Sequence, residues 1–508
     1  MSERKHVVVI GGGPGGTCAA MLLSSRGFKV TLLEKQGTLG GRTGRLEANG
    51  YRFDLGSTMV MMRFVFEELF ALAGRKLSDE VKLTRLEPMY RLDFGERGAL
   101  DVFSDHRRME AELERFAPGS SPGLAKFVAR EQKRLEHLYP VLQKSYPHLG
   151  RLVDPQVIAA LPHVGLASSL HDVASHSFDD PALQLAFSFQ SAYLGMSPWN
   201  CPGGFGMVPY VEHAWGIDHV QGGINELCQA MGRISLQNGA TIRTSTEAAQ
   251  LVVKDGKCTS VLLTSGETIA CDDVVIDADG VQALRHLLSD DVSLRFSHER
   301  LEQTRESCST YMLYLGLDTQ VALPHHTFFF AHDYRSEMTR LFETLELSQD
   351  LSVYVCNPSR TDPTLAPPGH SALYALVLVP NTRSEIDWDL AAPKVRARVL
   401  NVLEDRAGVE LGKHVRVEMS LTPRDWEERF NISHGAVFGP AHSIGQLLAF
   451  RLPNQLPTPH NVFLAGGATN PGSGLPTIAE SARISARLLC ESHGVPFPES
   501  LPLPAISA

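Results

Sequence analysis

The first thirty-four residues alternate between apolar runs and turns, in a pattern typical of a strand, a helix and a second strand. Residues 6–10 (HVVVI) form an unbroken apolar run, which suits a parallel strand buried on both faces. Residues 17–25 predict a helix that stops at Arg26-Gly27, a cationic last turn followed by glycine. Residues 28–34 (FKVTLLE) predict a second strand, which closes on an acid.

The turn between the first strand and the helix carries a dinucleotide-binding fingerprint. Gly11 permits a tight turn, Gly13 lets the backbone approach a pyrophosphate, and Gly16 lets the helix pack closely on the strand. Gly15 belongs to the same loop, whose helix amino terminus would face the phosphates with its partial positive charge. Glu34 lies 18 residues beyond Gly16, where a carboxylate can bind ribose hydroxyls and would repel a 2′-phosphate. The fingerprint alone is compatible with either NAD or FAD.

A second glycine-rich segment narrows this choice. Gly41 and Arg42 lie in LGGRT (39–43), and Gly56 ends YRFDLG (51–56). Glycines let the chain pass close to a cofactor, and the arginine can neutralise a pyrophosphate. In this position the segment resembles the second signature of the glutathione-reductase-like flavoproteins of the amine oxidase and carotenoid desaturase type. The sequence has no second GxGxxG preceded by a strand, so we predict no separate nicotinamide domain.

The middle of the chain predicts an amphipathic helix from 224 to about 238, with apolar residues at helical spacing. Turn signals at 254–257 and 265–267 then separate short apolar segments. We interpret these segments as a β meander followed by a buried strand at 273–277. The meander strands are predicted around Thr241–Arg243, Ala249–Val253, Thr259–Leu263 and Thr268–Cys271.

The carboxyl-terminal region repeats the combination of strand, glycine turn and helix. Residues 461–465 predict a strand that runs into a glycine-rich turn containing Gly466, Gly467 and Pro476. Backbone amides in such a turn can approach a cofactor, here the ribityl chain and the flavin ring. The two glycine turns are therefore predicted to converge on one cofactor.

Composition excludes several classes of protein. The chain has 508 residues and a formal net charge of -10, which argues against an electrostatic nucleic-acid binder. Hydrophobic residues make up 43%, so global disorder is excluded. We find no signal peptide, and the glycine loop interrupts the uncharged stretch from 7 to 25, so we predict no membrane span.

The cysteines and histidines give no metal-binding signature. The eight cysteines include no CxxC pair, which favours scattered reduced core thiols. The tightest histidine group is His325, His326 and His332. Adjacent histidines on a strand point to opposite faces and make a poor chelate, so we predict no metal site.

Taken together, six segments resemble the bacterial phytoene desaturase family of carotenoid desaturases. The resemblance covers most of the chain and both ends, whereas residues from about 105 to 200 are helical in pattern without a sharp match. The segments are VVVIGGGPGGTCAAMLL (7–23), LLEKQGTLGGRTG (32–44), YRFDLGSTM (51–59), NPSRTDPTLAPPGHSALYALVLVP (357–380), LTPRDWEERFNISHGAVFG (421–439) and NVFLAGGATNPGSGLPTIAESAR (461–483).

The resemblance implies an α/β fold with a glutathione-reductase-like, Rossmann-type FAD-binding domain and an inserted mixed α+β substrate domain. It implies FAD as cofactor, with backbone near Ala248 at the adenine end. It also implies removal of two hydrogens from a linear polyene precursor of the phytoene or dehydrosqualene type, as a hydride to flavin N5 and a proton from the neighbouring carbon. We expect the FAD domain to use residues 1–75, 220–290 and 450–508, with the substrate domain at 76–219 and 291–449.

A hydrocarbon substrate requires a long apolar tunnel. Residues 58–66 and 187–207, rich in methionine and aromatic side chains, suit its lining, although core packing is the more common role of any one of them. We expect a cytoplasmic protein that lies on the membrane surface by an apolar patch, with a quinone or oxygen as electron acceptor. The sequence names no general base. Asp54 lies in FDLG beside the expected flavin, yet a carboxylate that caps a turn explains it equally well.

Three alternatives stay open at this stage. A carotenoid oxygenase that forms terminal aldehyde or hydroxyl groups would share nearly all these motifs. A non-enzymatic isoprenoid carrier, as in the Rab GDP-dissociation inhibitors, would use a related fold without flavin, which the intact glycine motifs argue against. An amine or protoporphyrinogen oxidase is the last, and an amine oxidase would need an aromatic cage.

Overall fold

The computed structural model describes residues 4–289, 297–408 and 411–505. The strands are β1 (His6–Ile10), β2 (Lys29–Leu33), β3 (Arg45–Ala48), β4 (Tyr51–Asp54), β5 (Leu83–Arg85), β6 (Tyr90–Asp93), β7 (Ala99–Val102), β8 (Asp218–Val220), β9 (Thr241–Arg243), β10 (Ala248–Lys254), β11 (Lys257–Leu263), β12 (Thr268–Ala270), β13 (Asp273–Ile276), β14 (Ser309–Leu317), β15 (His326–Phe329), β16 (Val353–Cys356), β17 (Ser371–Val379), β18 (Val415–Leu421) and β19 (Val462–Leu464). The helices are α1 (Pro14–Ser25), α2 (Arg63–Leu72), α3 (Leu77–Glu80), α4 (His106–Phe116), α5 (Ser121–Leu142), α6 (Pro155–Ala160), α7 (Leu170–Ser175), α8 (Pro181–Ala186), α9 (Met207–Trp215), α10 (Asn225–Gln237), α11 (Gly280–Leu287), α12 (His298–Glu302), α13 (Tyr334–Thr339), α14 (Trp388–Ala407), α15 (Leu411–His414), α16 (Pro423–Phe430) and α17 (Leu475–Ser492).

A five-stranded parallel sheet in the order β19-β13-β1-β2-β9 lies in the part of the chain predicted to bind the nucleotide. The neighbouring central strands β13 and β1 are buried over almost their whole length, as their apolar runs predict. Helices α1, α10 and α17 share one hydrophobic core with strands of this sheet. The α/β fold class predicted from the sequence is thereby confirmed.

The predicted four-stranded meander is wrong in one strand. Only β10, β11 and β12 form the antiparallel sheet, whereas β9 pairs in parallel with β2. The chain leaving α10 returns alongside β2, and the amide of Glu34 continues this pairing by donating to the carbonyl of Arg243 at 2.9 Å. Short strands carry no sequence mark of their partner, so this parallel pairing was not predictable from periodicity.

A seven-stranded sheet in the order β18-β14-β17-β16-β15-β6-β7 lies in the part of the chain assigned to the substrate. Helix α14 covers one face through apolar contacts of Trp388, Val395 and Val399. The opposite face carries Met312 and Leu376 and faces a cavity. Helices α4 to α8 confirm the helical pattern expected between 105 and 200. The exact division into two domains stays a prediction.

In the three described ranges, no helix combines the length and apolar character needed to cross a bilayer.

Candidate active site

A single cavity of about 740 Å³ joins the parallel sheet to the seven-stranded sheet. It begins where β1 and β2 end, the edge of a parallel sheet at which ligands bind in doubly wound folds. It then continues over the sheet face formed by β14 to β17. One continuous cavity can therefore hold a dinucleotide at its polar end and an apolar chain at its other end.

Eight of the twelve residues that were predicted to bind the cofactor line this cavity. They are Gly11, Gly13, Glu34, Gly41, Arg42, Gly56, Ala248 and Pro476. The other four, Gly15, Gly16, Gly466 and Gly467, lie behind the wall rather than on it. Gly15, Gly16 and Gly466 allow close packing of the loops that form the wall, since a Cβ atom on each would lie within 2.8 Å of a neighbouring atom, whereas a Cβ on Gly467 would meet nothing closer than 3.4 Å.

The packing of these loops centres on Asp277, a residue that the sequence analysis did not assign to the site. Its carboxylate follows β13 and accepts the backbone N–H of Gly16 at 2.6 Å. A Cβ atom on Gly13, Gly15 or Gly466 would lie 2.7, 2.6 or 2.8 Å from a carboxylate oxygen of Asp277. Gly13 therefore also leaves room for the carboxylate of Asp277, while its predicted role beside a pyrophosphate stays a prediction.

Asp277 places a negative charge at the amino terminus of α1, where a phosphate is expected to bind. Burial raises the pKa of this carboxyl to about 6, although the backbone N–H of Gly16 and the guanidinium of Arg42 act in the opposite direction. Both Asp277 and Arg42 line the cavity. A diphosphate bound here would meet one cation and one titratable anion.

This arrangement predicts that FAD binds more tightly as the pH falls. Above about pH 6 the Asp277 carboxylate is ionised and repels the diphosphate, whereas below that pH it is neutral. FAD binding should raise this pKa further, and affinity should change about tenfold for each unit by which it does so. We expect the dissociation constant, measured by flavin fluorescence between about pH 5 and about pH 8, to increase with pH.

Asp277→Asn is the matched variant, because it keeps the shape of the side chain and removes its titration. Its FAD affinity should depend less on pH than that of the parent protein, and at about pH 8 it should be higher. Glu34 titrates in both proteins, so its contribution cancels in the comparison. An equal pH dependence in the two proteins would exclude Asp277 as the group responsible.

Glu34 lies at the end of β2, as predicted, with its carboxylate at the cavity. Its Oε2 accepts the backbone N–H of Gly12 at 2.7 Å, and its Oε1 accepts the N–H of Gln36 at 2.6 Å. Burial raises its pKa, while these two N–H groups oppose the rise by stabilising the ionised form. The carboxylate is thus held in one orientation with lone pairs left to accept ribose hydroxyls.

The second glycine motif packs directly on the first. The amide of Gly40 donates to the carbonyl of Gly12 at 2.8 Å. Gly41 has a φ of +53°, and a Cβ there would lie 3.3 Å from the Cα of Gly13. Arg42 is anchored by a hydrogen bond from Nη1 to the carbonyl of Val437 at 2.6 Å. The two motifs, separate in sequence, form one cradle for a single ligand.

The apolar end of the cavity is a tunnel formed mainly by alternating residues of the seven-stranded sheet. From the two segments predicted as lining, Thr58, Met59, Met61, Phe189, Ala192 and Tyr193 line the cavity, whereas the others mostly pack in the core. The sheet and α13 supply the residues that the sequence analysis missed. They include Thr310, Met312, Phe328, Phe330, Tyr334, Glu337, Met338, Tyr354, Tyr374, Leu376 and Leu378.

Glu337 brings a carboxylate to this apolar wall. Its side chain is buried and accepts the backbone N–H and the hydroxyl of Ser352, at 2.7 and 2.5 Å. Burial raises its pKa to about 7, against the effect of the Ser352 hydrogen bonds. Glu337 can therefore take up or release a proton near neutral pH.

Asp54 is not part of the cavity wall in this structure. Its Oδ1 accepts the backbone N–H of Ile224 at 2.8 Å, immediately before α10 begins. Burial raises its pKa to about 7, partly offset by His219. Of the two interpretations of Asp54, the carboxylate that caps a turn is the one that the geometry supports.

His325 and His326 do not lie together on one strand, contrary to what was expected from the sequence. β15 begins at His326, so His325 lies outside the strand and the alternation of faces does not apply to this pair. The two imidazole rings have centroids 4.4 Å apart. His332 lies elsewhere, exposed and paired with Asp350.

Three comparisons place the chain among known proteins. Residues 15–490 match the family of flavin containing amine oxidoreductases. The chain is 42% identical to a 4,4′-diapophytoene desaturase (4,4′-diapolycopene-forming) from Methylomonas sp, over 98% of this chain and 97% of that protein. It is 36% identical to a zeta-carotene-forming phytoene desaturase from Myxococcus xanthus, over 97% and 95% of the two chains.

The solved structures give the same fold at low identity. An oxidoreductase from Methanosarcina mazei superposes with a TM-score of 0.63 at 15% identity, covering 94% of this chain and 98% of the other. The glycine cradle, the oriented Glu34 and the adjoining cavity fit FAD. Residues from all three segments predicted to form the FAD domain line this cavity. The chain therefore belongs to the flavin containing amine oxidoreductase family, as an FAD-dependent oxidoreductase grouped with the carotenoid desaturases.

Proposed function

We propose that this enzyme desaturates a linear carotenoid precursor of the diapophytoene or phytoene type. The observation that carries the proposal is the continuity of the cavity, which joins the cofactor cradle to an apolar tunnel. The names of the relatives, a diapophytoene desaturase and a phytoene desaturase, point to the same substrate class. The surface of such a hydrocarbon chain is entirely apolar. An apolar tunnel binds it because burial removes this surface from water.

The reaction removes one hydride from an allylic carbon and one proton from its neighbour, leaving a new double bond. FAD, when bound, supplies the two-electron acceptor for the hydride. The cation left on the substrate is delocalised over the polyene, so the adjacent proton needs no strong base. The aromatic and methionine wall excludes water from that cation, and Glu337 is a carboxylate on the wall that can hold the proton.

We also propose that the protein lies on a membrane surface, from which a hydrocarbon substrate can enter. Large apolar side chains are exposed within residues 149–166, and Val153 is 73% exposed. Phe450 is exposed in a neighbouring segment whose Leu448 packs in the same cluster as Leu152. Grouped exposed apolar side chains favour contact with a bilayer. The reduced flavin would then pass its electrons to a quinone or to oxygen.

The proposal predicts that the enzyme converts a colourless precursor into a coloured one. We expect extracts from hosts that accumulate diapophytoene or phytoene, and express the enzyme, to contain products that lack two hydrogens for each step. Mass spectrometry of the extracted pigments measures this loss. Fractionation of the same cells should place the enzyme with the membranes at low salt.

The controls separate this reaction from its alternatives. Hosts that carry the empty vector give the mass of the unmodified precursor. Products that have gained oxygen would contradict desaturation and would indicate that the enzyme is a carotenoid oxygenase. An FAD-loaded enzyme that leaves both precursors unchanged would contradict the proposed substrate class.

A further inference from the structure

We propose that His325, His326 and Cys356 form a buried site for a divalent transition metal, and that Zn²⁺ is its natural occupant. The site lies outside the cofactor cradle and does not depend on the proposed substrate. One ring nitrogen of each histidine and the cysteine sulfur lie within 4.8 Å of one another. All three residues are buried.

The fold brings these ligands together through strand pairing. His326 and Cys356 are direct partners in the antiparallel pair of β15 and β16. Side chains of such partners share one face of the sheet, with Cβ atoms about 5 Å apart. His325 precedes the strand, and its ring folds back to within 4.4 Å of the His326 ring. The third ligand is therefore positioned by a turn and the other two by the sheet.

The hydrogen bonds of the two histidines leave one nitrogen of each ring available. His325 Nδ1 lies 2.8 Å from the hydroxyl of Thr361, and His326 Nδ1 lies 2.8 Å from the hydroxyl of Tyr354. The Nε2 atoms of both rings are buried, and neither has a hydrogen-bond partner among the described residues. In metal-bound histidines, the ring nitrogen that does not bind the metal commonly forms a hydrogen bond to a neighbouring group, which fixes the orientation of the ring.

Without a cation, these nitrogens have no adequate partner. If each Nδ1 donates to its hydroxyl, each buried Nε2 presents a lone pair that has no hydrogen-bond partner among the described residues. A buried polar atom without a partner costs about 1–3 kcal/mol, and a cation that accepts both lone pairs removes that cost.

The donor set selects the class of metal. Two imidazoles and one thiolate are borderline-to-soft ligands, which favour Zn²⁺ over Mg²⁺ or Ca²⁺. Tetrahedral ligands of zinc lie about 3.5 Å apart, so binding would draw the three residues together by about one ångström. Three protein ligands leave the fourth position for water.

The surroundings also balance the charge of the ion. The thiolate of Cys356 supplies one negative charge. Asp362 supplies a second, because it lies 3.3 Å from His219, whose ring is 4.8 Å from that of His325. The thiolate ligand and a carboxylate one residue farther away both lower the cost of burying a dication here.

The consequence for the enzyme is structural. Tyr354 lines the tunnel, and its hydroxyl is held by His326 on one side and by Thr58, at 2.8 Å, on the other. A metal that fixes His326 would therefore fix this part of the tunnel wall. Its removal should loosen β15 and β16 without removing FAD.

Metal analysis of the purified, FAD-loaded enzyme tests the site. We expect about one zinc per chain by plasma mass spectrometry, after growth with zinc and removal of loosely bound ions by a chelator. Cobalt grown into the protein should give visible absorption to the red of the flavin bands, with the intensity of a tetrahedral site. Cys356→Ser and His326→Gln should each lower the metal content at least about tenfold.

Matched variants make the result specific. Cys201→Ser alters another buried cysteine, and His332→Gln alters the nearby exposed histidine, so both should keep the full metal content. If Cys356→Ser does not fold, the zinc content and the cobalt spectrum of the parent enzyme still decide the question. Less than about a tenth of an ion per chain in the parent would overturn the proposal, as would unchanged metal in both ligand variants.

Discussion

Gly13→Val is expected to yield a folded protein that purifies without the yellow colour of FAD. A Cβ at this position lies 2.7 Å from Oδ2 of Asp277, and the two methyl groups of valine would extend from it into the cradle. Either Asp277 moves, which breaks its hydrogen bond to Gly16, or the loop shifts away from the second glycine motif. A loss of at least about tenfold in FAD affinity corresponds to about 1.4 kcal/mol.

The ratio of flavin to protein absorbance, followed by titration of the stripped enzyme with FAD, measures this effect. Gly37→Val is the control, because a Cβ on that exposed glycine meets nothing closer than the Ser245 hydroxyl at 3.9 Å. The control should retain the parent flavin content. Parent-like FAD affinity in Gly13→Val would mean that the amino-terminal glycines do not form the cofactor site.

Local patterns were sufficient to predict the first strand, helix and second strand at the cofactor end of the fold. The apolar run at 6–10 corresponds to β1, and the helix stop at Arg26 follows the end of α1 at Ser25. In this region the secondary structure depends on sequence-local features, namely a buried parallel strand, a glycine turn and an apolar helix that ends shortly before a glycine. The expected positions of Glu34 and Arg42 on the cavity followed from the same short range of sequence.

Asp277 was missed because its role depends on contacts between distant segments. It contacts Gly16 across 261 residues of sequence, and no spacing rule indicates that an acid after β13 meets the start of α1. One signal was present. Parallel neighbours end at the same edge of a sheet, so an acid that closes a strand beside β1 lies near the glycine loop. The pairing of β13 with β1 had to be known first.

The tunnel wall was harder to predict, since its strands are apolar on both faces. Residues 371–379 contain almost no polar position, so periodicity does not tell which side chains face the cavity. Only the register fixes this, by placing Leu376 opposite Met312 on β14 and Tyr354 on β16. The same register brings Cys356 opposite His326, which is why the histidine pair could not be judged from the sequence.

Leu376→Trp is expected to abolish most desaturation while leaving FAD in place. Leu376 lines the tunnel between Met312 and Tyr354, on the sheet face away from the α14 core. The larger ring would fill space that the polyene needs, and overpacking of this kind costs about 1–3 kcal/mol. If the same cost opposes substrate binding, the rate at limiting substrate falls about fivefold to about 150-fold.

Pigment yield and the flavin-to-protein ratio, measured on the same preparations, separate the two ends of the cavity. Leu390→Trp places the same ring on α14, at a side chain that is 66% exposed, and should change neither quantity. Leu376 lies on β17 and is not part of the cofactor cradle. Loss of flavin in Leu376→Trp would therefore indicate a folding defect. Full activity with full flavin would show that the substrate does not pass over β17, and the tunnel would then have to be sought elsewhere in the fold.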